Sequence, residues 1–198
     1  MRLKTVCAGR GGTGERMRDE AGAGREGFLV LRAQTGDREA LDALLASVQE
    51  PLYRYLLSLV GERQLAEDVL QETFIRVYRK LGWLREPALF RPWAYRVATR
   101  EAFRHLKRER RWAEQVRDEE ALKSVAAPPA REEFAPVLSA RLHESVAALS
   151  PASRAVVVLY YLHEMSLEET ADVLGVPLGT VKSRLAYGLE ALRRRLRG

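Results

Sequence analysis

Residues 166–185 leave this chain less conformational choice than any other stretch. Ser166 is placed to cap a helix, and Glu169, three residues on, completes a capping box. Leu167, Ala171 and Leu174 fall on one face at helical spacing. Gly175 suits the left-handed residue that ends a helix. Pro177 suits the start of the next one, where its missing N–H costs nothing. Val181, Leu185, Leu189, Leu192 and Leu196 then recur at steps of three and four, so the second helix has its own apolar stripe. Its other face carries Lys182, Ser183, Arg184 and Tyr187, then Arg193, Arg194, Arg195 and Arg197. This pattern predicts a helix-turn-helix, a unit that sets its second helix in a DNA major groove. Pattern alone also admits an ordinary amphipathic hairpin with a solvated basic face.

Charge supports the first reading. The chain has 198 residues and a net charge of +6, the balance of a protein that meets polyanions. Its basic residues are mostly Arg, which forks onto phosphate and guanine better than Lys does. A lone cysteine, Cys7, excludes a disulfide framework and a Cys-based zinc site. No apolar run reaches membrane-spanning length and no secretory signal is visible, so a cytoplasmic setting is expected.

Four zones follow from composition. Residues 1–26 are Gly- and Arg-rich and read as disordered. Their Gly9–Glu15 segment lacks the Lys and the preceding strand of a phosphate loop, and Met17 is a second possible start. Residues 27–111 carry dense helical patterns, 112–136 form a linker around Pro128 and Pro129, and 137–198 form a second helical domain. Alternating strand patterns are absent, so the expected fold is all-α, two small domains on a flexible linker.

In the first domain, Gly36 and Asp37 precede a helix with Ala40, Leu41, Leu44 and Leu45 inward; Pro51 begins its continuation, with Leu52, Leu56, Leu59 and Val60. A second pattern, Gln64 to Leu81, buries Leu65, Val69, Leu70, Phe74, Val77, Tyr78 and Leu81. Asp68, Gln71, Glu72 and Ile75 share one outer patch, either a partner-docking face or a solvated surface. Glu67 with Asp68, and Glu168 with Glu169, read as helix N-terminal acids. A third helix, Arg91 to Arg111, stacks Arg96, Arg100, Arg104, Lys107, Arg108 and Arg111 in one stripe. A docked polyanion would relieve the repulsion along it. Trp83, Phe90, Trp93, Tyr95 and Phe103 precede and punctuate the stripe, and basic side chains interleaved with aromatics suit single-stranded nucleic acid. Trp93 and Phe103 fit the core equally well. The helix-breaking loop between Leu81 and Phe90 has room for a flipped base.

At these residues the chain resembles the extracytoplasmic-function (group 4) sigma factors of bacterial RNA polymerase. One signature is Ala66-Glu67-Asp68-Val69-Leu70-Gln71-Glu72-Thr73-Phe74 followed by Phe90-Arg91-Pro92-Trp93-Ala94-Tyr95-Arg96-Val97-Ala98. The other is Leu149-Ser150-Pro151-Ala152-Ser153-Arg154 followed by the helix-turn-helix. The resemblance spans about residues 28–196 and implies a region 2 domain, a linker along the RNA exit path and a region 4 domain. It assigns Asp68, Gln71, Glu72 and Arg76 to binding core polymerase, whose β′ and β subunits are the implied partners. Trp83, Phe90, Arg96, Arg100, Arg104 and Arg108 fall to the melted −10 strand, and Thr180, Lys182, Ser183, Arg184 and Tyr187 to the −35 duplex. An inhibitory anti-sigma factor is a further implied partner.

The chain departs from that family at several positions. Many members have Arg-Asn after the Arg96-Val97-Ala98 segment, with an Asp four residues later; here Thr99, Arg100 and Arg104 stand there, and the sequence contains no Asn. Tyr187 and Gly188 stand where Arg and Ala are common. Paired-carboxylate, metal-ligand and nucleophile–base patterns are absent, so no enzyme activity and no cofactor are expected; His105, His143 and His163 are scattered. Two rival readings are a stand-alone helix-turn-helix regulator and an RNA-binding protein. The first would need a sensor pocket and the second a recognised RNA module, and residues 27–111 offer neither.

Overall fold

Capping and apolar spacing lay out seven helices and two short 3-10 turns, with further helical residues at 142 and 144–147 and no strand among the described residues. The computed structural model describes residues 13–119, 142 and 144–197. Cys7, His143, the tail before Thr13 and the linker beyond Glu119 lie outside them. The helices are α1 (Thr13–Gln34), α2 (Arg38–Val60), α3 (Arg63–Lys80), α4 (Phe90–Glu119), α5 (Pro151–Leu162), α6 (Leu167–Leu174) and α7 (Leu178–Arg197). The fold is all-α. Among the described residues no helix is long and apolar enough to cross a membrane.

Local chemistry explains the helix ends. Asp37 caps α2 by accepting from the Ala40 N–H at 3.0 Å, and Arg32 donates to the same carboxylate at 2.7 Å. Ser150 caps α5, with Pro151 in its first turn. Ser166 and Glu169 close the expected box: the Glu169 N–H donates to Ser166 Oγ at 3.0 Å, and the Ser166 N–H donates to Glu169 Oε2 at 2.8 Å. Gly175, at φ 64°, ends α6 in the left-handed region, which costs a residue with a Cβ about 1 kcal/mol or more.

Several expectations are corrected. Pro51 starts nothing; α2 runs through it as one helix, because Val48, Leu52, Tyr55 and Leu56 are buried on either side and hold both halves. α1 begins at Thr13 and α4 ends at Glu119. Tyr78 points outward at 66% exposure. Glu67 and Asp68 lie beyond the first turn of α3, which holds no acid, so the dipole contributes little there. In α6 the fully packed positions are Thr170 and Val173, while Leu167, Ala171 and Leu174 are half-buried. Leu196 leaves the stripe of α7 at 41% exposure.

The two domains share a core. Tyr55, Leu59, Tyr95, Ala98 and Ala102 of α2 and α4 belong to one buried cluster with Ala155, Val158, Leu159 and Val173 of α5 and α6. Polar contacts cross the same seam. Arg154 donates from Nη1 to the Leu59 carbonyl at 2.6 Å, satisfying an orphan at the end of α2, and from Nη2 to Leu149 O at 3.1 Å.

Candidate nucleic-acid interface

The second helix of the helix-turn-helix, α7, is held from behind. Val181 is fully buried and Leu192 nearly so, and Gly188 lies so close to α5 that an added Cβ would meet Val157 Cγ2 at 2.9 Å. That contact explains the glycine, where the family pattern favours Ala. With the inner stripe fixed, Lys182, Ser183 and Tyr187 are exposed on the outer face, Tyr187 at 73%. Thr180 and Arg184 are half-buried beside them, and Ser183 Oγ donates to the Thr180 carbonyl at 3.0 Å. All five expected residues therefore lie within the first three turns of one helix. Their backbone is fixed by a capped partner helix and a short turn.

The loop between α3 and α4 is more ordered than its sequence suggests. Leu81–Trp83 and Pro87–Leu89 each form a 3-10 turn. Gln34, at the end of α1, donates from one amide nitrogen to Leu81 O at 2.8 Å and to Leu84 O at 2.9 Å. Glu26 of α1 pairs with Arg91 at the foot of α4, with Arg91 Nε donating to Oε1 at 2.8 Å. Pinned at both ends, the loop holds Trp83 at 86% exposure. Phe90, expected to face bases, is instead fully buried, its ring centroid 6.3 Å from that of Trp93. Tyr95 is also drawn inside, at 3% exposure. Both belong to the buried core cluster, covered by the neighbouring elements.

Along that stripe Arg100, Arg104 and Arg108 are exposed, and Arg96 is half-buried with its Nε unpaired. Arg104 has a partner: its Nη1 pairs with Glu101 Oε2 at 2.6 Å. Glu101 is itself buried, an acid the arginine-rich pattern hides, and it was not among the expected residues. Its spacing of three from Arg104 was the signal available.

On α3, Asp68 and Gln71 are exposed with Ile75 at 45%. Tyr78 joins them, three residues beyond Ile75, and adds a second apolar group to the patch. Glu72 and Arg76 lie toward the seam with α4. Glu72 Oε2 meets His105 Nε2 at 3.1 Å, and Arg76 Nε meets Glu101 Oε1 at 2.8 Å. Four expected residues thus share one helix, but two are tied to a neighbour. His163 is likewise engaged, with Tyr95.

Comparison with known proteins places this geometry in context. Residues 44–112 match the family described as "Sigma-70 region 2" and residues 146–194 that described as "Sigma-70, region 4". The chain is 34% identical over 178 residues to the RNA polymerase sigma-H factor of Pseudomonas aeruginosa, covering 85% of this chain and 92% of that one. It is 31% identical over 177 residues to the ECF RNA polymerase sigma factor SigW of Bacillus subtilis, covering 85% and 95%. Among solved structures it is similar to CnrH in complex with the cytosolic domain of CnrY. That match has a TM-score of 0.65 and 25% identity, and covers 87% of this chain and 97% of the other.

Proposed function

This chain belongs to the extracytoplasmic-function sigma factors of the sigma-70 family, and from that premise we propose how its surfaces divide promoter recognition. It is an alternative sigma factor of RNA polymerase. Asp68, Gln71, Glu72 and Arg76 on α3, with Ile75 and Tyr78 beside them, dock core polymerase, whose β′ and β subunits are the partners. Trp83 stacks on an unpaired base of the −10 strand while Arg96, Arg100, Arg104 and Arg108 follow its phosphates. Thr180, Lys182, Ser183, Arg184 and Tyr187 read the −35 duplex. The chain acts by binding, in the cytoplasm with the polymerase, and contributes no reacting group. An anti-sigma factor is a further partner; the similar CnrH is seen in complex with another protein, the cytosolic domain of CnrY.

The observation that carries this reading is Trp83, 86% exposed on a loop pinned by Gln34 and leading into the arginine helix. A stable fold exposes a Trp so fully on rigid backbone only at some cost, and a stacking platform gives that cost a use. The test is co-elution of the purified chain with core RNA polymerase. A stoichiometric complex, lost with Asp68→Arg, is expected. A folded protein that binds duplex DNA and ignores polymerase would instead be a stand-alone regulator.

A further inference from the structure

Two cations on neighbouring helices of the first domain share one buried carboxylate. The Glu101 side chain, on α4, is 3% exposed. Its Oε1 accepts from Arg76 Nε of α3 at 2.8 Å, and its Oε2 from Arg104 Nη1 at 2.6 Å. Arg76 keeps 37% of its side chain exposed and Arg104 keeps 55%, so each still presents donors to solvent. Next to this trio the His105–Glu72 pair crosses the same seam between α3 and α4.

A carboxylate this buried is costly to leave without a cation. The two arginines are therefore not independent: when a partner draws one away, the other must stay. Each long side chain would otherwise sample many rotamers, and the shared acceptor holds both in one orientation. A bound state at either face thus alters the charge available at the other, and that coupling acts equally in both directions.

We propose that Glu101 is a positioning residue that couples the polymerase-docking face to the −10 strand face by holding Arg76 and Arg104 on opposite oxygens. The inference rests on the assignment of those two faces above. Removing Arg76 leaves the full charge of Glu101 on Arg104, which then competes with DNA phosphate for that guanidinium.

The experiment uses the full chain and a fluorescein-labelled, mixed-sequence single-stranded DNA oligonucleotide, with affinity read by anisotropy. The ¹H–¹⁵Nε resonance of Arg104 is followed in the DNA-free protein. Arg76→Ala is expected to weaken oligonucleotide binding about fivefold, although Arg76 lies off the DNA face, and to shift the Arg104 resonance. In a Glu101→Gln background, Arg76→Ala should do neither. Arg76→Lys, which keeps a cation for Glu101, should restore most of the binding and controls for a loss of fold. An unmoved Arg104 resonance, or an equal loss in both backgrounds, would overturn the coupling. Arg104→Ala separates the two ways of failing. Unchanged binding there takes Arg104 off the DNA face, and the proposed coupling falls with that assignment. A loss there, with none from Arg76→Ala, sinks the coupling alone.

Discussion

The phenol oxygen of Tyr95 lies 2.9 Å from Nδ1 of His163, tying α4 of the first domain to the residue that ends α5 in the second. Tyr55 meets the same imidazole edge-on, with centroids 5.6 Å apart. Burial holds His163 below its ordinary pKa of 6.5, and the positive charge of Arg54 adds to the effect. The unfolded chain therefore takes up this proton first as pH falls. The contribution of the neutral ring to stability is complete above about pH 6.5 and is lost as the solution is acidified below it. Thermal melts between pH 7.5 and 5 should show stability falling more steeply in the native chain than in His163→Gln. Parallel slopes would remove His163 from the seam's pH response.

Thr99 and Tyr55 form a buried pair in which the donor can be worked out. Thr99 Oγ1 donates to the Tyr95 carbonyl at 2.8 Å, so the Tyr55 hydroxyl donates to Thr99 Oγ1 at 2.7 Å. Tyr55→Phe removes that donor and should cost about 1 kcal/mol. Thr99→Val strands the Tyr55 hydroxyl in the core and should cost about 1–3 kcal/mol. Urea unfolding of the two variants would rank them, and the reverse order would contradict this donor assignment.

Gly188→Ala should destabilise the second domain by about 1–3 kcal/mol, because the new methyl meets the stiff, β-branched Val157 at 2.9 Å. Val157→Ala opens that space, so in the double variant the two effects should add to less than their sum. Denaturation of both single variants and the pair tests this; strict additivity would mean that α7 shifts as a whole instead.

Recognition predictions separate base from phosphate contacts. Arg184→Ala should weaken −35 duplex binding by about 1–3 kcal/mol and relax preference at one position if its guanidinium reads a base. If it touches only phosphate, the loss should be uniform across sequences and the salt slope should fall by about one. Trp83→Ala should cost about 1–3 kcal/mol on single-stranded DNA and nothing on the −35 duplex. Titrations of both variants against both probes decide the matter.

Much of the second domain was legible in the chain itself. Ser166, Glu169, Gly175 and Pro177 act on backbone groups within a few residues, so the helix-turn-helix is specified locally and appears where those residues put it. The all-α class, the basic outer face of α7 and the exposed Asp68 and Gln71 follow from the same short-range reasoning. Only the tertiary structure decided which faces meet. It carried α2 through Pro51, turned Phe90 and Tyr95 inward and Tyr78 outward, and set Glu101 between Arg76 and Arg104. Each of these depends on segments far away in sequence: α5 and α6 against α2 and α4, and α3 against α4. A helix's periodicity says that one face is buried, but the width of that face and the charges trapped at its edge are set by the neighbour that covers it.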